Sequence, residues 1–166
     1  MTMNWMNWIL IGITAALTIF IIILRVGEVR RYQKSLVTFK EKNRNFEVLY
    51  HSKRNIYLFM VMGVVVFTVS MFVEGDIFER LSMAVIFTTL VLAESLSAWM
   101  NATLYSSDKE FLFGLVNDRY RSIKTYKAKG KRNTIIVTLK NEELVVPNSI
   151  AEMIQNKQRE IKNSKK

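Results

Sequence analysis

One acidic residue, Glu94, stands near the middle of the apolar run LSMAVIFTTLVLAESLSAWMNATL, Leu81 to Leu104. A charged side chain at mid-bilayer costs on the order of 2.5–3.5 kcal/mol on insertion scales, so such residues face a bundle interior or a cavity, paired or protonated. On a helix, Leu90, Ser97, Ala98 and Asn101 share the side of Glu94, and they form a polar stripe leading toward one end. In an antiparallel bundle Thr14 and Gly63 fall at about its depth. Two chemistries are open to this site, formed by Glu94, Ser97, Asn101, Thr14 and Thr18. Glu94 either binds an ion, a proton or a basic group on a partner helix, or it is a protonated carboxyl bonded to Ser97, a threonine or a backbone carbonyl.

A second set of residues is basic. Arg119, Arg121, Lys124, Lys127, Lys129, Lys131 and Arg132 crowd into fourteen positions, and Arg30, Arg31 and Lys34 recur in an earlier connection. Near anionic headgroups each such residue contributes about 1 kcal/mol, so contact with anionic lipid or an acidic partner is one reading and a solvated hairpin the other. Nucleic acid is not expected, because Tyr120 and Tyr126 alone make a poor stacking platform.

Other chemistry has little to work with. There is no cysteine and one histidine, His51, which excludes disulfides and leaves little scope for a metal site. No HExxH, P-loop or GxSxG motif is present. Ser95 and Ser97 beside Glu94 lack a general base. No catalytic residue, metal or cofactor is expected, and the chain reads as a non-enzyme.

The elements that must position these residues follow from hydropathy. Half of the 166 residues are hydrophobic, yet the net charge is +10, and the apolar residues are gathered into blocks. About 20 apolar residues cross the ~30 Å hydrocarbon core as a helix. Three spans are expected, at about 5–24, 56–73 and 81–104, within a membrane region 1–104. Trp5 and Trp8 mark one interface of the first, and Gly12, Ala15 and Ala16 give it a small-residue face. In the second, Gly63, Phe67 and Ser70 share a face. The opening MTMNWMNW lacks a basic n-region, so the first block is expected to be retained.

Residues 25–55 form a basic connection, expected as a cytoplasmic loop, although Val26, Val29, Tyr32 or Gln33, Leu36 and Phe39 have the spacing of an amphipathic helix. This connection and the tail are basic, whereas EGDIFER, Glu74 to Arg80, is acidic. The positive-inside rule therefore places the N-terminus outside and the C-terminus in the cytoplasm of a bacterial cell membrane. The Lys/Asn/Ile-rich tail suits a low-GC bacterium.

The tail, 105–166, is expected to be a small β-rich module. Strands are expected at 110–116, 122–126, 133–139 and 143–146, with turns at Asn117–Asp118, Lys129–Gly130–Lys131 and Lys140–Asn141. After Pro147, Ser149 and Glu152 have capping-box spacing for a helix whose end, QREIKNSKK, is expected to fray.

The run FLFGLVNDRYRSIKTYKAKGKRNTIIVTLKNEELVVP, with the helix after it, resembles the small bacterial pleckstrin-homology-like domains that follow membrane spans. The likeness covers about a third of the chain and includes Arg121 to Tyr126 as one strand. It implies a curved sheet capped by a C-terminal helix and a binding or scaffolding role. The usual sheet has more strands than the four read here. The fold class expected is thus three transmembrane helices plus an antiparallel β-meander with a terminal helix. The function expected is that of a membrane scaffold, accessory subunit or immunity-type protein holding a membrane-protein partner or a second copy. The competing class is a small homo-oligomeric pore or transport component working through Glu94.

Overall fold

The computed structural model describes residues 5–139 and 141–163. Three of its helices are long and apolar enough to cross a membrane: α1 (Trp5–Lys42), α2 (Arg54–Phe72) and α3 (Ile77–Met100). Around them lie β1 (Glu47–His51), β2 (Thr103–Ser106), β3 (Glu110–Phe113), β4 (Val116–Arg119), β5 (Ile123–Lys129), β6 (Asn133–Thr138) and β7 (Glu143–Pro147), closed by α4 (Asn148–Asn163).

The chain divides into two compact units, Met1–Arg31 with Ser52–Met100, and Tyr32–His51 with Asn101–Lys166. A single cut after residue 104 does not describe this division, because the backbone passes between the units three times. Four residues expected at the end of the third span belong to the second unit.

In the first unit α2 and α3 form a hairpin. Ser70 is buried in it, and a Cβ added at Gly63 would meet Val91 Cγ1 at 3.4 Å, so the helices approach closely there. Phe67, expected on this face, is half exposed. The third span begins at Ile77 rather than Leu81, because the acidic turn is a helix cap. The Asp76 carboxylate accepts from Ile77 N–H at 2.7 Å, and Glu79 reaches back to Asp76 N–H at 3.3 Å, as in a capping box. It ends at Met100, and Asn101 and Ala102 turn the chain into β2.

The expected loop 25–55 is mostly regular. α1 continues to Lys42, about 57 Å in all at 1.5 Å per residue and so well beyond the hydrocarbon core. Its last turns follow the amphipathic spacing: Tyr32 and Phe39 are buried, whereas Gln33 is exposed. β1 then pairs antiparallel with β2, Val48 opposite Tyr105 and His51 opposite Thr103.

The second unit holds a four-stranded antiparallel sheet, β1-β2-β3-β4, and a three-stranded one, β5-β6-β7. β1, β2 and β4 are additional to the strands read from sequence. Asn117–Asp118, expected as a turn, lies inside β4, and the turn falls at Gly114–Leu115. There Phe113 pairs with Val116 and Gly114 has φ +57°, the arrangement of a two-residue II′ hairpin. A Cβ at Gly114 would strike the Asn101 side chain, so the position needs glycine twice over.

Strand alternation assigns the faces. Leu104, Phe111 and Phe113 enter a core shared with Tyr120, Ile123, Ile136, Val146, Ile150 and Ile154. Tyr105 and Leu112, directly opposite each other, take the other face of the first sheet. The end of α1 covers it, with the Phe39 and Tyr105 rings 6.5 Å apart. α4 is tied down through Gln158. Its Nε2 donates to the Tyr120 carbonyl at 2.8 Å, and its Oε1 accepts from the Tyr126 hydroxyl at 3.2 Å. The Tyr120 hydroxyl donates to Ser106 Oγ, which carries the chain of bonds into the first sheet. Ser149 and Glu152 make no capping box among the described residues; Asn148 instead bonds Thr134 Oγ1 and the Lys131 carbonyl. The helix runs to Asn163 and so includes QREIKN of the stretch expected to fray; residues 164–166 lie outside the described residues.

The burial of Phe39 yields a prediction. Phe39→Ala removes a fully buried ring and should destabilise the second unit by about 3–5 kcal/mol, whereas Lys34→Ala on the exposed side should change it by less than about 0.5 kcal/mol. Chemical unfolding of the detergent-solubilised protein checks this; equal, small effects would return 25–42 to the status of a loop.

Candidate functional site

The expected intramembrane site is rearranged. Arg25 Nη2 donates to Glu94 Oε1 at 2.8 Å, and its other arm reaches Glu28 Oε2 at 2.5 Å. Glu94 is therefore the hydrogen-bond partner of a cation on a neighbouring helix of its own chain. It sits nearly five turns past the start of α3 and six residues before its end, and so lies toward one end of the helix rather than at its centre. Arg25, read from sequence only as the residue that closes the first span, is its missing partner.

A second polar contact fixes the register. Asn7 Nδ2 donates to Asp76 Oδ2 at 3.3 Å. Eighteen residues separate Asn7 from Arg25 on α1, and eighteen separate Asp76 from Glu94 on α3. α1 and α3 therefore run parallel with matched polar clips roughly 27 Å apart, close to the thickness of a hydrocarbon core.

Between the clips the helices stand apart around a groove of about 330 Å³. Ile11, Thr14, Ala15, Thr18 and Ile19 of α1 and Leu81, Ser82 and Val85 of α3 line it. The Oγ1 atoms of Thr14, Thr18 and Thr88 are buried without a hydrogen-bond partner. By contrast Thr68, Ser70 and Ser95 bond carbonyls of their own helices at 2.8–2.9 Å. Thr14 and Thr18 thus bond neither a carbonyl of their own helix nor a group on a neighbouring one. A Cβ at Gly12 would meet nothing within 4 Å, so this part of the small-residue face is open.

The polar stripe itself does not form. Ser97 is half-buried with no side-chain hydrogen bond among the described residues, and Asn101 lies beyond the helix end, in the second unit, beside Gly114.

The basic residues separate into two groups. Arg119 turns away from its neighbours, and its Nε donates to Glu110 Oε1 at 3.2 Å, beside Lys42 Nζ at 2.6 Å. Burial opposes the charge on Glu110, but the bonds from Lys42 and Arg119 outweigh it and hold the carboxyl below its ordinary 4.5. A depressed carboxylate pKa means that the contact is intact at neutral pH and is lost as pH falls through the lowered value. Two adjoining clefts of about 420 and 490 Å³ flank this knot. Glu47 and Lys157 form a similar tie at 2.6 Å between β1 and α4. No spacing rule links Lys42 to a glutamate 68 residues away, so these pairs had no signal in the sequence.

Arg121, Lys124, Lys127, Lys129, Lys131 and Arg132 are exposed, as are Arg30, Arg31 and Lys34 on α1. None of the nine forms an ion pair among the described residues. His51 Nδ1 meets Thr103 Oγ1 at 2.8 Å, at the neck where β1 leads into α2 and α3 returns to β2.

No family model, curated protein or solved structure matches the chain.

The Arg25–Glu94 pair is open to a double-mutant cycle with Arg25→Gln and Glu94→Gln. A coupling on the order of 1 kcal/mol is expected in unfolding experiments in bicelles. Additivity, with Glu94→Gln silent by itself, would instead match a protonated carboxyl that needs only a hydrogen bond.

Proposed function

We propose that this is a non-enzymatic protein of a bacterial cell membrane, an accessory subunit or scaffold that holds a membrane partner through its spans. The observation that carries this reading is the groove between α1 and α3. It is apolar, beside an open small-residue face at Gly12, and it contains buried threonine hydroxyls with no acceptor. Small residues allow a second helix to approach closely, and orphan hydroxyls gain most from a polar group supplied by that helix. An immunity-type protein that occupies its target by the same face is one form of this reading.

Orientation follows from charge. With the Arg25–Glu94 rim cytoplasmic, the basic residues of the second unit are inside and the Asn7–Asp76 rim is outside, in agreement with the positive-inside rule. The resemblance of its sequence to pleckstrin-homology-like modules adds a binding role for the second unit to this reading.

A pore working through Glu94 is less well supported, since that carboxylate is engaged by Arg25. Crosslinking in native membranes followed by size analysis in detergent separates the two. The accessory reading expects a defined complex with another protein that Gly12→Leu disrupts while the folded chain persists. A closed homo-oligomer that conducts ions and survives Gly12→Leu would contradict it.

A further inference from the structure

We propose that the outer face of the β5–β6–β7 sheet, with the β5–β6 hairpin at its edge, docks on an anionic lipid bilayer surface. Cross-strand register defines that face. Tyr126, Ile136 and Leu144 stand in one row and enter the core. The next row, Lys127, Ile135 and Val145, therefore points the other way. Lys129 lies two residues further along the same side. Lys131 and Arg132 fill the turn, which Gly130 enters at φ +69°, and Lys124 projects from the irregularity between Ile123 and Thr125.

Charge distinguishes this surface from the rest of the unit. Lys42, Arg119 and Lys157 are spent on carboxylates that tie secondary-structure elements together. The five cations of the hairpin are exposed and form no ion pair among the described residues. Glu143 is the carboxylate on this face, and it lies on the far strand opposite Val137. Apolar groups accompany the cations: Val145 is 43% exposed and Leu139 65%. Water disfavours that combination, whereas the boundary between headgroups and acyl chains accepts both parts of it.

The second unit is joined to the spans by short links: two residues separate α3 from β2, and two separate β1 from α2, a few ångströms of chain per residue. The inference depends on the chain being membrane-anchored and not on the identity of a protein partner.

Lysines on an edge strand also serve to prevent strand-to-strand pairing, a role that other charged side chains share. The distinction makes the test selective. The full chain, free of cysteine, is given Val145→Cys, labelled with a polarity-sensitive fluorophore, and placed in nanodiscs of phosphatidylcholine alone or with phosphatidylglycerol. Phosphatidylglycerol should shift the emission to the blue and permit quenching by spin-labelled lipid. High salt should reverse both effects, and so should Lys127→Glu, Lys129→Glu and Lys131→Glu together. In the unlabelled wild-type protein, trypsin should cut the hairpin roughly tenfold more slowly in the anionic discs. Identical spectra and cleavage in both discs would overturn the proposal. So would a response indifferent to charge reversal, or one that appears only on adding an acidic protein. Failure to enter discs at all would instead remove the membrane anchorage on which the inference rests.

Discussion

β1 finds its strand partner only across α2 and α3, where the chain has come back. Its five residues pair with β2, and the two ends of that pairing, His51 and Thr103, are 52 residues apart with the helical hairpin between them. The loop-closure entropy of joining such distant positions grows only slowly with length, and a preformed helical hairpin shortens the effective gap. The rest of the second unit follows from this. Leu49 and Tyr50 pack against the core only when β1 is in place, and Glu47 is then available to Lys157 of α4. The end of α1 closes the opposite face over Tyr105 and Leu112. What looked in sequence like a tail domain is assembled from two pieces of chain, Tyr32–His51 and Asn101–Lys166.

The first unit solves a different problem. In lipid, apolar contact does not distinguish one helix pairing from another, so polar contacts and close packing must. Asn7–Asp76 and Arg25–Glu94 have equal spacing on two parallel helices and lie near the expected rims of the slab, where charge costs less than at its centre. Glu28 keeps Arg25 engaged as well, so the clip holds two carboxylates to one guanidinium. Between the clips α1 makes poor contact with α3, which leaves the threonine-lined groove open for something else.

The apolar blocks were legible because span length and composition are local properties. So were β5, β6, β7 and α4, whose alternation and turn residues sit in adjacent sequence. The capping pair Asp76 and Glu79 was equally legible but was read as a turn, and this displaced α3 by one helical turn. β2 was hidden because ATLYS follows a long apolar helix without a break in composition. β1 was hidden because EVLYH lies in a basic stretch that already satisfied the topology argument. Asn117 and Asp118 have turn chemistry but occupy a strand, since glycine at Gly114 takes the reversal that φ > 0 requires. The Arg25–Glu94 and Lys42–Glu110 ion pairs could not be found in the sequence: each joins residues nearly seventy positions apart, and nothing local marks either partner.

The most direct test of this architecture uses the absence of cysteine. His51→Cys with Thr103→Cys should form a disulfide on mild oxidation in native membranes, because the two side chains face each other across the first two strands, on either side of two spans. The crosslinked and reduced forms would separate by mobility. Two cysteines that react readily with maleimide yet never join would contradict the account, for then the strand before the hairpin and the strand after it do not meet.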